Sequence, residues 1–182
     1  MQSDIVHYRH RVVRDLAWAI ATPPLIEPDG HHCEWPAAAW YTQQYRLAQD
    51  WLGGLDEDAG ELQALLDRQK DRRLGRYFET LWYYWLMHHP DYQLLAHNLQ
   101  VVINGDTLGE LDFIVRDRRS DEVIHIEVAV KFYLGIGDTR QMRNWHGPGL
   151  KDRLDKKVAH LKRRQTCIAQ DERVGQWLQR QG

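Results

Sequence analysis

The chain has little cysteine, no long apolar run and no secretion signal. Its two cysteines, Cys33 and Cys167, lie far apart and outside any C-x-x-C pair, so neither a structural disulfide nor a cysteine zinc site is expected. No run of about 18 apolar residues is present, which excludes a transmembrane helix. No basic segment followed by an apolar one opens the chain, so a signal peptide is not expected. These absences predict a soluble protein of the reducing cytoplasm that does not bind membranes.

Positive charge is scarce over most of the chain and concentrated in one segment. Residues 1–139 hold 13 Lys and Arg against 22 Asp and Glu, whereas residues 140–165 hold 9 Lys and Arg against 2 Asp. This basic segment, with a net charge of +7, predicts a surface for a polyanion such as nucleic acid. A solvated basic helix face is the alternative interpretation of the same pattern.

Apolar periodicity predicts helices through the first half of the chain. We expect helices over residues 5–20, 37–52 and 58–88, and a last helix over residues 150–168. In the helix over 58–88, Glu79 falls at the margin of the apolar stripe. Its carboxylate therefore either borders the buried face or lies on the surface.

Three strands are predicted after the long helix, over residues 92–103, 108–116 and 123–134. In the third strand every even-numbered residue is apolar, and we expect that face to be core. The opposite face is polar and carries His125, Glu127, Ala129, Lys131 and Tyr133.

Asp112 and Glu127 each place a carboxylate within an apolar strand. An ionised group there costs several kcal/mol unless something compensates it, and a divalent cation shared by both carboxylates would do so. The pair is therefore a candidate metal site, and Lys131, on the same face as Glu127, is a candidate catalytic partner. His125 also shares this face, either as a group that supports a metal ligand or contacts substrate, or as a histidine satisfied within the sheet.

The order of these elements resembles the PD-(D/E)XK nuclease superfamily, which has the restriction-endonuclease-like fold. The matching motifs are Glu79 on the first core helix, Gly109-Glu110-Leu111-Asp112 on the second strand and Ile126-Glu127-Val128-Ala129-Val130-Lys131 on the third. Within the superfamily, the chain is most similar to a bacterial family of unassigned function. The resemblance covers residues 58–168. It implies an α/β fold with an αβββα(β) core and a mixed sheet flanked by helices over residues 58–182, after an N-terminal helical extension over residues 1–57.

The same resemblance implies a nuclease that hydrolyses phosphodiester bonds in DNA or structured nucleic acid with Mg²⁺ or Mn²⁺. Asp112 and Glu127 would be direct metal ligands together with the backbone carbonyl of Val128, and Glu79 would be a water-mediated or second-metal ligand. Lys131 would stabilise developing charge or orient the attacking water. The basic helix would follow the phosphate backbone. Its predicted nucleic-acid contacts are Lys151, Lys156, Lys157, Lys162 and Arg163.

Two departures from the superfamily pattern leave alternatives open. The lysine expected two residues after Glu127 is replaced by Ala129, and Lys131 lies about 13 Å from Glu127 along a regular strand, whereas a lysine reaches roughly 6 Å. Residues 166–182 show no β pattern, so the core is either truncated or completed by a partner, for example as a homodimer, because an open sheet edge invites pairing. The alternatives are an inactive nuclease-fold module that binds nucleic acid or a protein partner, and a structural protein in which Asp112 and Glu127 pair with Arg or Lys.

Overall fold

The computed structural model describes residues 7–25 and 36–161, together with Val174. These residues form a mixed α/β fold with five helices and a small antiparallel sheet, which confirms the predicted α/β class. They divide into two compact units, the first holding the described residues up to Pro90 and the second those from Asp91 onward. Among the described residues, no helix combines the length and apolar composition needed to cross a membrane.

The first unit is helical throughout its described residues. Its helices are α1 Arg11–Ala21, α2 Ala38–Glu57, α3 Gly60–Asp67 and α4 Leu74–His88. Helix α1 packs against α2 and α4, and α3 packs against α4. Their apolar stripes meet in a core because side chains three and four residues apart share one helix face. The fully buried core leucines and isoleucine are Leu16, Ile20, Leu52, Leu62, Leu81 and Leu86.

The predicted helix over 58–88 is wrong at its centre, because the structure has two helices separated by residues 68–73. This run contains only polar residues, so it offers no apolar side chain to the core. The Asp71 carboxylate accepts the backbone N–H of Arg73 at 3.0 Å, a local bond that competes with helix continuation.

The other helix ends in the first unit also differ from prediction. Helix α1 starts at Arg11, and residues 7–10 are not helical, while residues 5 and 6 lie outside the described residues. Helix α2 continues past residues 53–54 to Glu57, because Leu52 and Leu55 both remain buried against the core. Helices α3 and α4 belong to the same compact unit as α1 and α2. The predicted division of the chain at residue 57 stays a prediction.

The second unit contains a sheet with the strand order β1-β2-β3. Its strands are β1 Tyr92–Ile103, β2 Asp106–Asp117 and β3 Val123–Ile126, all antiparallel. Asn104 and Gly105 join β1 to β2 with φ angles of 54° and 86°, as a tight hairpin of this type requires. These strands agree with the prediction for β1 and β2. The mixed sheet of a restriction-endonuclease-like core is not established by the described strands.

The third strand is shorter than predicted, and its apolar face is not core along its whole length. β3 ends at Ile126, where the backbone pairing with Phe113 is the last of the ladder. Farther along, Phe132 and Leu134 are 73% and 65% exposed, so the prediction that they are core is wrong. Alternation of apolar residues indicates an extended chain, but a strand also requires a neighbouring strand to pair with its backbone groups.

A short hairpin and a helix complete the described part of the second unit. The hairpin strands are β4 Leu134–Gly135 and β5 Trp145–His146, and helix α5, Leu154–His160, packs against β5. The predicted last helix therefore begins at Leu154 rather than at residue 150, and residues 162–168 lie outside the described residues.

Candidate functional site

Asp112 and Glu127 meet where the β2–β3 ladder ends. They occupy the positions just beyond the last backbone pair, Phe113 with Ile126. The N–H of Val128 donates to Oδ2 of Asp112 at 3.0 Å, and the N–H of Asp112 donates to Oε1 of Glu127 at 3.4 Å. Within the ladder, backbone N–H groups donate hydrogen bonds to backbone carbonyls. Just beyond its end, the side-chain carboxylates accept these hydrogen bonds instead. The two candidate metal ligands are therefore neighbours, as the strand pairing predicts.

Only one of the two carboxylate oxygens of Glu127 has a hydrogen-bond partner among the described residues. Nε2 of His125 donates to its Oε1 at 2.7 Å, and the two side chains are 9% and 6% exposed. The other oxygen, Oε2, is buried and has no hydrogen-bond partner in the part of the chain that the structure describes. An oxygen in that position adds a desolvation cost to the carboxylate. His125 is thus hydrogen-bonded to Glu127, and its role beside a metal ligand or substrate stays a prediction.

Lys131 forms an ion pair with Asp152. Burial, and secondarily the charge of Lys157, lower the pKa of Lys131 from its ordinary value, and the carboxylate of Asp152 opposes that shift. The Asp152 carbonyl also accepts the N–H of Gly147 at 2.9 Å, and a Cβ on Gly147 would lie 3.1 Å from the Cβ of Asp152. A side chain at Gly147 would be tight against Asp152 and would require a shift of a few tenths of an ångström. The ion pair thus joins the segment after β3 to the loop that precedes α5, and the Gly147 contacts lie within that loop.

Glu79 lies on α4 in the first unit, where its carboxylate is 16% exposed. Arg76, three residues earlier on the same helix, binds both carboxylate oxygens at 2.8 and 2.9 Å. Glu79 is thus at the margin of the buried face, with its charge compensated by a cation of its own helix. Its participation in a metal site remains a prediction.

The predicted nucleic-acid contacts fall partly on α5 and the loop before it. Lys151 and Lys156 are exposed, and Lys157 is half-buried. Lys162 and Arg163 lie outside the described residues. Lys151 and Lys156 are therefore placed where a polyanion could reach them.

Sequence reasoning missed two residues near this region, Asp152 and Asn98. Asp152 could not be found because its partner, Lys131, is distant in sequence. Asn98 did carry a signal, since asparagine is uncommon within β-strands. It adopts φ 51° within β1, and its Oδ1 is buried without a hydrogen-bond partner among the described residues.

The arrangement offers paired carboxylates rather than a ready-made cluster of acidic and imidazole ligands. Within the described residues, no group of three or more His, Cys, Asp and Glu side chains is suited to hold a metal ion. Asp112 and Glu127 offer carboxylate oxygens on adjacent segments. This is a donor type that Mg²⁺ and Mn²⁺ prefer.

Comparisons with known proteins assign a family but no activity. Searches of curated proteins and of solved structures found no match to the chain. The family that matches is described as a domain of unknown function, and nothing in that description links it to the PD-(D/E)XK superfamily. Because the match extends over residues 14–182, nearly the whole chain, the protein belongs to this family, DUF1853.

Proposed function

We propose that the protein is a divalent-cation-dependent nuclease that hydrolyses phosphodiester bonds in DNA or structured nucleic acid, on a restriction-endonuclease-like core. The observation that supports this most directly is the meeting of Asp112 and Glu127 at the end of the β2–β3 ladder. One of the four carboxylate oxygens, Oε2 of Glu127, is buried without a partner in the described part of the chain.

The residues present fit a hard divalent cation. A carboxylate whose side chain is 6% exposed and whose second oxygen has no donor is stabilised when a cation lies beside it. Asp112 and Glu127, with the backbone carbonyl of Val128, would hold Mg²⁺ or Mn²⁺. When bound, the cation would polarise a phosphate oxygen and lower the pKa of a water molecule.

The surrounding residues support the two carboxylates and the charge of the substrate. The N–H of Val128 and the imidazole of His125 each bind one oxygen of Asp112 and Glu127, respectively, and so restrict the side-chain rotamers. Lys151 and Lys156 would contact the phosphate backbone, which positions nucleic acid without selecting a sequence. Lys131 would contribute positive charge once its amine leaves Asp152.

Metal binding and cleavage test this proposal together. We expect titration calorimetry to detect Mn²⁺ binding by the full chain, and supercoiled plasmid or branched DNA to be cleaved when Mg²⁺ or Mn²⁺ is added. Asp112→Asn and Glu127→Gln should abolish both. Matched controls are Asp106→Asn at the exposed start of β2 and Glu122→Gln in the exposed turn before β3, and both should behave as the wild type. Cleavage that survives Asp112→Asn and Glu127→Gln would contradict the proposal.

A second candidate is an inactive nuclease-fold module that binds nucleic acid. Two observations favour it, namely Ala129 at the position of the superfamily lysine and the ion pair that holds Lys131 at Asp152. DNA binding measured by fluorescence anisotropy in EDTA, without cleavage under Mg²⁺ or Mn²⁺, would favour this module over the nuclease.

A further inference from the structure

We propose that Asn98 supplies a third side-chain ligand to the cation site of Asp112, Glu127 and the backbone carbonyl of Val128. This inference rests on the proposed function, because it adds a ligand to the same site.

The strand register places Asn98 beside Asp112. His97 pairs with Phe113 and Leu99 pairs with Leu111, with no register shift between these pairs, so Asn98 stands directly across the ladder from Asp112. Residues opposite each other in an antiparallel ladder have Cα atoms about 4.5–5.5 Å apart and share a sheet face. Asp112 therefore lies between Asn98 on β1 and Glu127 on the segment that follows β3.

Two buried oxygens without partners flank the Asp112 position. They are Oδ1 of Asn98 and Oε2 of Glu127, each without a hydrogen-bond donor among the described residues. The Glu127 side chain is more than nine-tenths buried, so its oxygen is not solvated by bulk water. One cation beside Asp112 would satisfy both of these acceptors, the amide oxygen of Asn98 and the carboxylate oxygen of Glu127.

The chemistry of these three donors favours an oxygen-preferring divalent ion. Asparagine carbonyl and carboxylate oxygens are ordinary ligands of Mg²⁺, Mn²⁺ and Ca²⁺. Asn98 also adopts a left-handed backbone conformation within a strand, a strain that proteins retain mainly where the residue has a role. Asparagine is one of the few residues that tolerate this conformation while offering an oxygen.

Mn²⁺ affinity of full-length variants, measured by calorimetry, tests the assignment without reference to catalysis. Asn98→Gly removes the oxygen and accepts the positive φ angle. Changing a residue that only supports a metal ligand typically costs about 10–100-fold in metal affinity. Loss of a direct ligand should therefore weaken Mn²⁺ binding by at least about tenfold. Asn98→Asp keeps an oxygen and should retain binding. The matched control is Asn104→Gly, since Asn104 has a φ of 54° in the exposed hairpin turn, and its affinity should be unchanged.

The outcomes separate this assignment from the proposed function. If the wild type binds Mn²⁺ and Asn98→Gly binds it equally well, the Asn98 assignment is overturned while the carboxylate site stands. If Asn98→Asp loses binding as Asn98→Gly does, the oxygen is not the reason for the effect and the assignment is again overturned. If the wild type binds no Mn²⁺, both proposals fall.

Discussion

Removal of the Asp56 carboxylate should destabilise the helical unit more than any comparable surface change. Asp56 lies near the end of α2, where its Oδ2 and Oδ1 accept the backbone N–H groups of Arg9 and His10 at 2.7 and 2.8 Å. These two residues immediately precede α1, and His10 is its N-cap. A carboxylate from a distant helix thus stabilises the start of α1, which has no side-chain cap of its own.

The expected loss for Asp56→Ala follows from these two bonds. A hydrogen bond to a charged group contributes about 1.5–3 kcal/mol, so the pair sets an upper limit of roughly 3–6 kcal/mol. The released N–H groups belong to exposed residues and can bind water instead. We therefore expect the free energy of unfolding to fall by roughly 2–3 kcal/mol, at or slightly above the upper end of the range for loss of a single helix cap, because two N–H groups lose their acceptor.

The loss should depend on pH in a defined direction. Burial acts to raise the pKa of Asp56, but the hydrogen bonds from His10 and Arg9 outweigh it and hold that pKa below its ordinary value. A carboxyl with a lower pKa in the folded state binds fewer protons when folded. Its contribution is therefore fully present above the unfolded pKa of about 3.9 and is lost as the pH falls through the folded pKa.

Urea denaturation followed by circular dichroism measures both effects. The matched control is Asp50→Ala, the same change at an exposed position of α2, which should shift the free energy of unfolding by less than about 0.5 kcal/mol. The difference in free energy of unfolding between the wild type and Asp56→Ala should shrink as the pH is lowered from about 4, near the unfolded pKa, to about 2. Equal stabilities for Asp56→Ala and Asp50→Ala at neutral pH would refute the reasoning, as would a difference that grows on acidification.

Three further predictions concern single contacts. Gly53→Ala should raise the free energy of unfolding by about 0.5–1 kcal/mol, because Gly53 is exposed within α2 and a Cβ there meets no atom within 4 Å; a fall in the thermal midpoint would contradict this. His125→Ala should lower the free energy of unfolding in urea by about 1–3 kcal/mol, since it leaves Oε1 of Glu127 with only the long bond from the strand backbone; an unchanged midpoint would show that the pair is not formed. Asp152→Asn should lower the pKa of Lys131, because it removes the negative charge that pairs with the amine; an NMR titration of the lysine side chain that shows no shift or a rise would disprove the ion pair.

The sequence predicted best those elements that depend on residues close together in the chain. The strand over residues 92–103 and the hairpin at Asn104-Gly105 follow from β-rich composition and a two-residue turn, and both are present. The break at residues 68–73 was missed because the apolar stripes of α3 and α4 together suggest one long helix. The end of β3 at Ile126 was missed because apolar alternation continues after the backbone pairing stops.

The candidate site shows the same limit at the level of side chains. The sequence could predict that Asp112 and Glu127 lie together, since adjacent strands in a hairpin bring their carboxylates to one position. It could not show that the Lys131 amine pairs with Asp152, or that the strand pairs on either side place Asn98 across from Asp112.

By itself, then, the sequence determined the α/β class, the helix and strand types and the pair of carboxylates in apolar strands, because these depend on the period of the apolar residues and on local turn chemistry. Tertiary structure decided which charges distant in the chain compensate one another, as for Lys131 and Asp152, and which buried oxygens of the described residues remain without a donor. The reason is physical: hydrogen bonds and ion pairs act over a few ångströms between residues that can be far apart in the chain, so their partners are set by packing and register rather than by spacing in sequence.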